Sequence, residues 1–380
     1  MSSFFDTPLL SSLINTLAKQ GINKPTDIQI KTIQPLLNDR SLMGVSETGS
    51  GKTLAYVLPL IHKLKTLELA GSAVSKSRHP RGLILVPGRE LGEQVSKVLK
   101  SLTHETRVRV RTALGGSKKK VSRKSVSGMF EILVATPGRL DNLVTSGEVN
   151  LGDVRTVVFD EADQLIDPGF LPVAKRMLRA CPHKAQLVMF SATLSSDLER
   201  VAHKLFPTTP VFIRTDGSQQ LVKTLTIVNH SIINGKRSET LIGLLKKKPV
   251  VGTMAFVNTR EQLDKVASWL VDESIPFTIY RGQMERSERR ANLKRFRNGD
   301  VSVILTTDLG GRGIDIDRVE RVINVHLPSD VDNYLHRAGR TARAGRTGLV
   351  VNLVTQRDQP LMAKLKKREK RHNRSRRKGR

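Results

Sequence analysis

Short apolar runs alternate with amphipathic helical patterns along most of this chain. The runs are rich in Val, Ile and Leu, and polar or glycine-containing segments bound them. Such alternation predicts parallel β-sheets that helices cover on both faces. The predicted strands are LMGV, GLILVP, EILVAT, TVVFD, QLVMFSA and PVFIR in the first half, and LTIVNHSI, GTMAFVN, FTIYR, SVILTTD, RVINVHL and GLVVNLVT in the second.

The helical patterns between the strands predict two α/β domains of similar size. Examples are SSLINTLAKQ, ELGEQVSKVLKSL, EQLDKVASWLVDE and ERRANLKRFRNG. The polar segment TDGSQQ interrupts the alternation near the middle of the chain. We therefore predict one domain over residues 1–213, a linker over 214–222 and a second domain over 223–360. The remainder, 361–380, is predicted to be a disordered basic tail, although its start (DQPLMAKLKKREK) could extend a terminal helix.

The charge balance predicts a polyanionic partner. The formal net charge is +29 over 380 residues, and nucleic acid or an acidic membrane surface is the simplest counterpart. Residues 364–380 carry +10 of this charge, eleven Lys or Arg against one Glu, so +19 belongs to the rest of the chain. Because aromatic residues make up only 4% of the chain, we expect contacts to a nucleic-acid backbone rather than extensive base stacking.

The cysteine and hydropathy patterns exclude several classes of protein. The single cysteine, Cys181, excludes an internal disulfide framework and a cysteine-rich zinc site, and it fits a reducing compartment. No apolar run approaches the roughly twenty residues that a membrane span needs. The start of the chain, MSSFFDTPLL, lacks the pattern of a secretory signal. We expect a cytoplasmic protein, a monomer, with no membrane contact.

The segment SETGSGKT (46–53) lies between a predicted strand and a predicted helix, and we call it the phosphate loop. Its glycines let backbone N–H groups point toward phosphates, and the helix N-terminus adds a favourable dipole. Lys52 would reach the β- and γ-phosphates, and the Thr53 hydroxyl would ligate Mg²⁺. A flexible glycine-rich loop is the alternative. The residues expected to bind the nucleotide are Ser46, Thr48, Gly49, Ser50, Gly51, Lys52 and Thr53.

Three carboxylates in four positions end the strand TVVFD, and we call residues 160–163 the acidic motif. Carboxylates this close repel one another, so we expect a cation between them. Asp160 is expected to hold Mg²⁺ together with Thr53, largely through water, and Glu161 to orient and deprotonate an attacking water. The alternative is an acidic N-terminal cap of a helix.

The residues 160–163 read DEAD, and with the phosphate loop and the motifs below they resemble the DEAD-box ATP-dependent RNA helicases. The similarity runs from Phe4 to about Thr355 with the motifs in the family's order. It implies two RecA-like domains that close around ATP and a single RNA strand. It also implies RNA-stimulated ATP hydrolysis that locally unwinds duplexes or remodels RNA–protein complexes.

The resemblance assigns further residues to the nucleotide and to coupling. In GINKPTDIQ (21–29), Gln29 would read the adenine edge, and Phe4 or its neighbour Phe5 would stack on the ring; ordinary apolar packing is the alternative for both. In TDLGGRGID, Arg312 would lie near the γ-phosphate and Asp315 at the ribose. In HRAGRTARAGR (336–346), Arg340 and Arg343 would be arginine fingers. The coupling residues would be Asp163, Ser191, Thr193, His336 and Arg337, the last two facing the acidic motif and SAT.

The resemblance also implies an RNA surface that contacts sugar and phosphate and carries little base specificity. A ribosomal or other structured RNA is our hypothesis for the client. The RNA-binding residues would be Pro87, Arg89, Gly115, Gly116, Thr136, Pro137, Gly138, Arg139, Thr259, Arg260, Arg289, Thr307 and Asp308.

Some positions depart from the family pattern. Gly88 replaces a usual Thr, Arg286 a usual Gln, Ala342 the commonest Gly and His326 a typical Asp. Gly88 puts the RNA grip of the first domain most in question, since it removes a hydroxyl that could bond a phosphate. Two other functions stay open at this point: a DNA-directed helicase with the same core, and a basic RNA chaperone whose ATP site is vestigial.

Overall fold

The computed structural model describes ten stretches of the chain: residues 3–47, 49–115, 125–166, 169–215, 225–233, 235–247, 252–281, 284–308, 318–342 and 347–367. The chain divides into two compact units, Met1–Gln219 and Gln220–Arg380. The point of division lies inside the predicted linker, 214–222.

The first unit contains a sheet of seven parallel strands. Its spatial order is β3-β4-β2-β5-β6-β1-β7. The strands are β1 Leu42–Val45, β2 Gly82–Leu85, β3 Val110–Ala113, β4 Ile132–Ala135, β5 Thr156–Asp160, β6 Gln186–Ser191 and β7 Val211–Arg214. Six of these were predicted from apolar runs, and the parallel α/β class is confirmed.

Strand β3 was missed because its sequence has the pattern of an exposed edge. The segment RVRVRTA alternates arginine with small or apolar residues instead of forming an apolar run. Among the described residues, β3 lies at the edge of the sheet and pairs with β4 alone. A strand with one hydrogen-bonded neighbour and one solvated side accepts such polar residues.

Helices flank both faces of the first sheet. They are α1 Ser11–Lys19, α2 Asp27–Leu37, α3 Lys52–Leu69, α4 Arg89–Thr106, α5 Pro137–Thr145, α6 Leu171–Ala180 and α7 Ser196–Leu205, with 3₁₀ turns at Phe4–Asp6 and Ala162–Ile166. Alternate strand residues enter opposite cores: Ile84 and Val134 belong to one apolar cluster, and Leu85 and Leu133 to the other. Burial on both faces explains why these strands read as continuous apolar runs.

The second unit repeats the arrangement with six parallel strands. The order is β10-β11-β9-β12-β13-β8. The strands are β8 Leu225–Ser231, β9 Thr253–Val257, β10 Phe277–Tyr280, β11 Val303–Thr307, β12 Arg321–Asn324 and β13 Gly348–Val354. The helices are α8 Arg237–Lys247, α9 Arg260–Asp272, α10 Arg286–Asn298 and α11 Val331–Ala338, with a 3₁₀ turn at Gln356–Asp358.

The second unit extends beyond the predicted boundary at residue 360. Residues 359–367 are helical, and Leu361 is buried against Leu327 and Val354. The start of the predicted tail therefore forms a terminal helix, as its apolar spacing allowed. Residues 368–380, the rest of the predicted disordered tail, lie outside the described residues.

Candidate active site

Three predicted motifs follow three adjacent strands of the first unit. Strands β5, β6 and β1 are neighbours in the sheet. The acidic motif begins at the end of β5, SAT at the end of β6, and the phosphate loop follows β1. Because all strands are parallel, the motifs meet at the carboxyl edge, where open α/β sheets bind ligands.

The phosphate loop depends on glycine at two positions. Gly49 and Gly51 have φ of +84° and +88°, in the left-handed region that favours glycine. A Cβ on Gly51 would also overlap the side-chain amide of Gln29. Helix α3 begins at Lys52, so the loop leads directly into a helix N-terminus. Thr48 lies outside the described residues.

Ser46 stands where the usual loop begins with glycine, and the fold uses its side chain. Its N–H donates to the Ser191 carbonyl at 3.0 Å, and its hydroxyl accepts from Thr215 Oγ1 at 2.8 Å. Thr215, just after β7, was placed in the linker by sequence. Both side chains are buried, so this hydroxyl pair attaches the end of the first unit to the loop.

Gln29, the predicted adenine reader, is only 2% exposed and holds the phosphate loop. Its Nε2 donates to the Gly51 carbonyl at 2.9 Å, and its Oε1 accepts from the Thr26 N–H at 2.9 Å. The second bond completes a capping box at the start of α2. One amide N–H and one oxygen lone pair remain for a base edge, so the adenine contact stays a prediction.

The burial of Phe4 does not fit the role in adenine stacking that was predicted for it. Its side chain is 1% exposed and packs in the first apolar cluster, so its ring is not available for stacking in this structure. Phe5, the alternative aromatic, is 65% exposed on the same 3₁₀ turn. The apolar-packing interpretation therefore holds for Phe4, and Phe5 is the aromatic available to an adenine.

Lys52 folds back onto its own loop. Its Nζ donates to the carbonyls of Ser46 and Glu47, both at 2.7 Å. Burial lowers the pKa of Lys52, while the charges of Asp160, Glu161 and other nearby carboxylates act in the opposite direction. A phosphate that binds Lys52 must therefore replace two neutral carbonyl contacts, which a doubly charged oxygen group does favourably.

Asp160 and Thr53 offer oxygen ligands of the kind that Mg²⁺ prefers. Asp160 is buried; its Oδ1 accepts from the Glu161 N–H at 3.0 Å and its Oδ2 from the Tyr56 hydroxyl at 2.7 Å. Burial raises the pKa of Asp160, and the Tyr56 hydrogen bond and the Lys52 charge lower it. Within the described stretches no group of three or more His, Cys, Asp or Glu could hold a metal. One carboxylate, one hydroxyl and substrate phosphates suit Mg²⁺ better than a cage of protein ligands.

Glu161 has a strained backbone. Its φ is +53°, a left-handed conformation that costs a non-glycine residue about 1 kcal/mol or more. Gln164 Nε2 donates to Glu161 Oε2 at 2.7 Å. Gln164 was not singled out by sequence, although it follows DEAD directly. Strain of this kind at a carboxylate after a strand fits a side chain that is aimed for function.

The predicted contact between SAT and the acidic motif is present. Ser191 Oγ donates to Asp163 Oδ1 at 2.9 Å, and the Thr193 N–H donates to Ser191 Oγ at 3.2 Å. Both Ser191 and Thr193 are buried. The contact joins the ends of β5 and β6; a coupling role for it remains a prediction.

Part of the predicted RNA surface of the first unit is connected by hydrogen bonds. Arg89 Nη1 donates to the Gly115 carbonyl at 2.9 Å, and the Gly115 N–H donates to Thr136 Oγ1 at 3.0 Å. These residues follow β2, β3 and β4, so they lie at the carboxyl edge of the sheet. The other predicted contacts there are Pro87, ahead of α4, and Pro137, Gly138 and Arg139 in the first turn of α5; Gly116 lies outside the described residues.

Gly88 also has a structural consequence. It is the N-cap of α4, in extended backbone, and provides no side-chain cap. A threonine hydroxyl there would accept a helix N–H as well as contact a phosphate. The departure noted in the sequence thus removes a cap and a candidate RNA contact together.

In the second unit, Thr259, Arg260 and Arg289 have different surroundings. Thr259 caps α9, where its hydroxyl accepts from the Gln262 N–H at 3.2 Å, and Arg260 is exposed beside it. The guanidinium of Arg289 lies over the Tyr280 ring, 4.7 Å from its centroid. These positions are compatible with phosphate contacts, and their RNA roles stay predictions.

The contacts of Arg337 do not fit its predicted role. It was expected to face the acidic motif, but its side chain is 1% exposed and its hydrogen bonds lie within the second unit. Nε and Nη2 donate to the two Asp308 oxygens at 2.6 and 2.7 Å. The remaining donors bond Asn258 Oδ1, Asn324 Oδ1 and the His326 carbonyl. All five N–H groups of the guanidinium are therefore used.

The same network changes the interpretation of Asp308, which was expected to bind RNA. Both of its carboxylate oxygens accept from Arg337 in a bidentate ion pair. A carboxylate would also repel an RNA phosphate, so the described contacts favour a structural role. Thr307, the last residue of β11, is half-buried beside it.

The remaining predicted residues of HRAGRTAR are only partly described. Arg340 is buried and its Nε donates to the His336 carbonyl at 3.2 Å. Ala342 has a φ of +57°, which explains why glycine would be favoured at this departure. Arg312, Asp315 and Arg343 lie outside the described residues, as does the side chain of Arg286.

The described helices contain no segment long and apolar enough to span a membrane.

Two family profiles match the chain, one in each unit. The profile of the DEAD/DEAH box helicases matches residues 26–201, and that of the helicase conserved C-terminal domain matches residues 236–345. Together they include the phosphate loop, the acidic motif, SAT and HRAGRTAR.

The curated relatives that match the chain are described as ATP-dependent RNA helicases. The DEAD-box ATP-dependent RNA helicase RhpA of Helicobacter pylori is 31% identical over 353 residues, which cover 93% of this chain and 70% of the relative. The probable ATP-dependent RNA helicase DDX4 of Homo sapiens is 32% identical over 355 residues, 92% of this chain. The chain spans about half the length of DDX4, 49%.

Solved structures of similar fold cover almost the whole chain. S. cerevisiae Dbp5 bound to RNA and ADP BeF3 matches with a TM-score of 0.84 and 25% identity, over 97% of this chain and 93% of that chain. A DEAD box protein from the hyperthermophile Methanococcus jannaschii matches with a TM-score of 0.54 and 29% identity, over 97% of both chains.

Proposed function

The chain belongs to the DEAD-box family of ATP-dependent RNA helicases, and we propose the following division of roles among its residues. As a member of that family it is an RNA-dependent ATPase that locally unwinds RNA duplexes or remodels RNA–protein complexes. The residue roles are our own assignment, supported by the contacts described above.

In the first unit, the phosphate loop binds the ATP phosphates and Lys52 exchanges its two loop carbonyls for phosphate oxygens. Asp160 and Thr53 would hold Mg²⁺, and the metal would neutralise charge on the phosphates. The oxygen of the attacking water bonds the γ-phosphorus while Glu161 accepts a proton from that water. ADP leaves with the bridging oxygen. Phe5, in place of Phe4, stacks on the adenine next to Gln29.

In the second unit, Arg340, Arg343 and Arg312 stabilise charge on the transferring phosphoryl group, and Asp315 binds the ribose. An arginine finger contributes on the order of 10³-fold or more in related phosphoryl transfer. Arg337, predicted as a coupling residue, is given a structural role instead, because all five N–H groups of its guanidinium are used within the second unit. Its role is to fix α11, on which His336 lies and after which Arg340 follows.

The observation that carries this proposal is the meeting of three motifs on adjacent strand ends. Lys52 donates to the Ser46 carbonyl, the Ser46 N–H donates to the Ser191 carbonyl, and the Ser191 hydroxyl donates to Asp163, so hydrogen bonds connect the phosphate loop, SAT and the acidic motif. Three motifs with unrelated roles would have no reason to be in contact at one edge of the sheet.

Glu161→Gln tests the assignment of the base. The variant keeps size and can still interact with Gln164, but it cannot accept the water proton. We expect RNA-stimulated phosphate release to fall by at least about 100-fold, while RNA binding in the presence of ATP persists. Phosphate release and filter binding of single-stranded RNA measure the two properties.

Glu68→Gln is the matched control, since Glu68 is exposed on α3, where it pairs with Lys65. It should release phosphate at the parental rate. If Glu161→Gln does the same, Glu161 is not the base.

We also propose a cytoplasmic location, supported by the cysteine usage noted above. Fractionation of the source cells, with the protein found in the membrane or extracellular fraction, would contradict it. We expect a monomer, and light scattering measures the oligomeric state.

A further inference from the structure

Tyr56 is a buried polar residue that the catalytic assignment does not use. It lies on α3, four residues after Lys52 and three after Thr53, so the three side chains share one helical face. Its side chain is 1% exposed, and its hydroxyl donates to Asp160 Oδ2 at 2.7 Å.

The Tyr56 phenol and one backbone amide each donate a hydrogen bond to a different oxygen of the Asp160 carboxylate. Oδ2 accepts from Tyr56, and Oδ1 accepts from the Glu161 N–H at 3.0 Å. A carboxylate with one donor on each oxygen has a fixed rotamer, because rotation about χ2 would break both bonds. Asp160 therefore has its orientation set before any nucleotide arrives.

The Tyr56 ring is itself held in place. It packs on Phe190 with ring centroids 5.6 Å apart and an interplanar angle of 45°. Phe190 pairs with Gly44 in the β1–β6 register, and a Cβ at position 44 would lie 2.5 Å from the Phe190 ring. Glycine at 44 thus leaves room for Phe190, Phe190 supports Tyr56, and Tyr56 bonds Asp160.

We propose that Tyr56 is a positioning residue for magnesium: its hydroxyl fixes the Asp160 carboxylate, so this ligand is oriented before the metal binds. This inference rests on the proposed role of Asp160. Tyr56 touches neither phosphate nor water in the assignment and acts only through Asp160.

The physical consequence is specific to the metal. Removal of the hydroxyl leaves a buried carboxylate oxygen with one donor fewer and frees the side chain to rotate. Loss of such a supporting partner typically costs 10–100-fold in metal affinity or activity. Nucleotide contacts made by the loop backbone and Lys52 do not involve the phenol, so they should be unaffected.

Tyr56→Phe removes only the hydroxyl and keeps the ring on Phe190. The first readout is binding of a fluorescent ATP analogue, titrated once in EDTA and once with increasing Mg²⁺; it needs no turnover. We expect affinity in EDTA within about twofold of the parent, and a half-saturating Mg²⁺ concentration that rises roughly 10-fold. The second readout, phosphate release with RNA, should show the same shift and recover toward the parental rate at high Mg²⁺.

Tyr334→Phe is the matched control. Tyr334 is also buried, and its hydroxyl accepts from the neutral amide of Asn352 at 3.0 Å in the second unit. The same atom is deleted there, so an equal change in Mg²⁺ dependence would show that the effect is a general loss of stability.

A double-mutant cycle with Asp160→Asn separates the inference from the proposed function. If Tyr56 acts through Asp160, Tyr56→Phe should have no further effect on Mg²⁺ dependence when it is combined with Asp160→Asn. An unchanged half-saturating Mg²⁺ concentration in Tyr56→Phe overturns the positioning role alone. An unchanged Mg²⁺ dependence in Asp160→Asn overturns the metal assignment on which it rests.

Discussion

The candidate active site of the first unit and the Arg337 network of the second unit both contain charged side chains that are at least half-buried, but these side chains have different kinds of partner. Lys52 donates to two backbone carbonyls, and Asp160 accepts from a phenol and an amide. Arg337 forms a bidentate ion pair with Asp308 and three further bonds.

The difference separates residues that can exchange partners from residues that cannot. A buried charge held by neutral groups gains when a ligand of opposite charge replaces them. A guanidinium whose five donors are all used would lose an ion pair to bind anything else. Position in a motif therefore does not decide whether a charged residue is catalytic; its existing partners do.

The largest expected effect is on stability, from Arg337→Ala. It leaves the Asp308 carboxylate half-buried without its partner, which should cost about 3–5 kcal/mol in the unfolding free energy of the second unit. Urea unfolding followed by fluorescence measures this directly, because the single tryptophan, Trp269, lies on α9 of that unit.

Arg295→Ala provides the control for this experiment. Arg295 is exposed on α10, and its removal should change the unfolding free energy by less than about 0.5 kcal/mol. Equal stability of the Arg337→Ala variant and the parent would mean that the network is not structural, and the comparison between the two units would fail.

A smaller effect is expected from His326, whose backbone carbonyl belongs to the Arg337 network. Burial, with the charges of Arg237, Arg337 and Lys265, lowers the pKa of His326 to about 4, while Asp358 acts in the opposite direction. The unfolded chain binds a proton near pH 6.5 and the folded one does not, so stability falls as the pH drops from about 7 to 4.

His326→Asn removes this titration. With allowance for partial solvent screening, we expect the parent to lose roughly 1 kcal/mol more than the variant between pH 7 and pH 5. Trp269 fluorescence during urea unfolding at the two pH values checks it. Identical losses would show that His326 is protonated in the folded unit.

The smallest effect is expected at Gly88, a position where the family usually has threonine. Gly88→Thr should stabilise by a few tenths of a kcal/mol as a cap of α4. It should also tighten single-stranded RNA binding roughly threefold, about one weak hydrogen bond. The salt dependence of binding should stay the same, because a neutral hydroxyl releases no counterion.

Gly88→Ala separates the hydroxyl from the backbone effect, since alanine restrains the chain without a donor. If Gly88→Ala tightens RNA binding as much as Gly88→Thr, the hydroxyl has no role at this position.

Most strands and the placement of the motifs could be predicted from the sequence, because strands buried on both faces read as apolar runs and motifs follow their carboxyl ends. The edge strand β3 could not, since an exposed edge has no apolar run. Phe4 and Phe5 were indistinguishable, because which of two adjacent aromatics enters the core depends on the packing of the whole unit.

The partners of charged residues were the least predictable part of the site. Arg337, Asp308, Asn258 and Asn324 come from four segments of the second unit, and no local pattern reveals that they meet. Tyr56 was hidden in the apolar pattern of α3. Its spacing of three from Thr53 was a usable signal, because a polar atom on the buried face of a helix must find a partner.

The most direct test of the account is ATP binding by Lys52→Ala, measured beside its unfolding free energy. We predict that ATP affinity falls by roughly 100-fold, because the phosphates lose a charged contact. The free energy of unfolding should fall by less than the about 3–5 kcal/mol expected for Arg337→Ala, because the hydrogen-bond partners of Lys52 are neutral carbonyls and not a carboxylate. Parental ATP affinity in a folded variant would contradict the account, since Lys52 would then be a structural cation like Arg337.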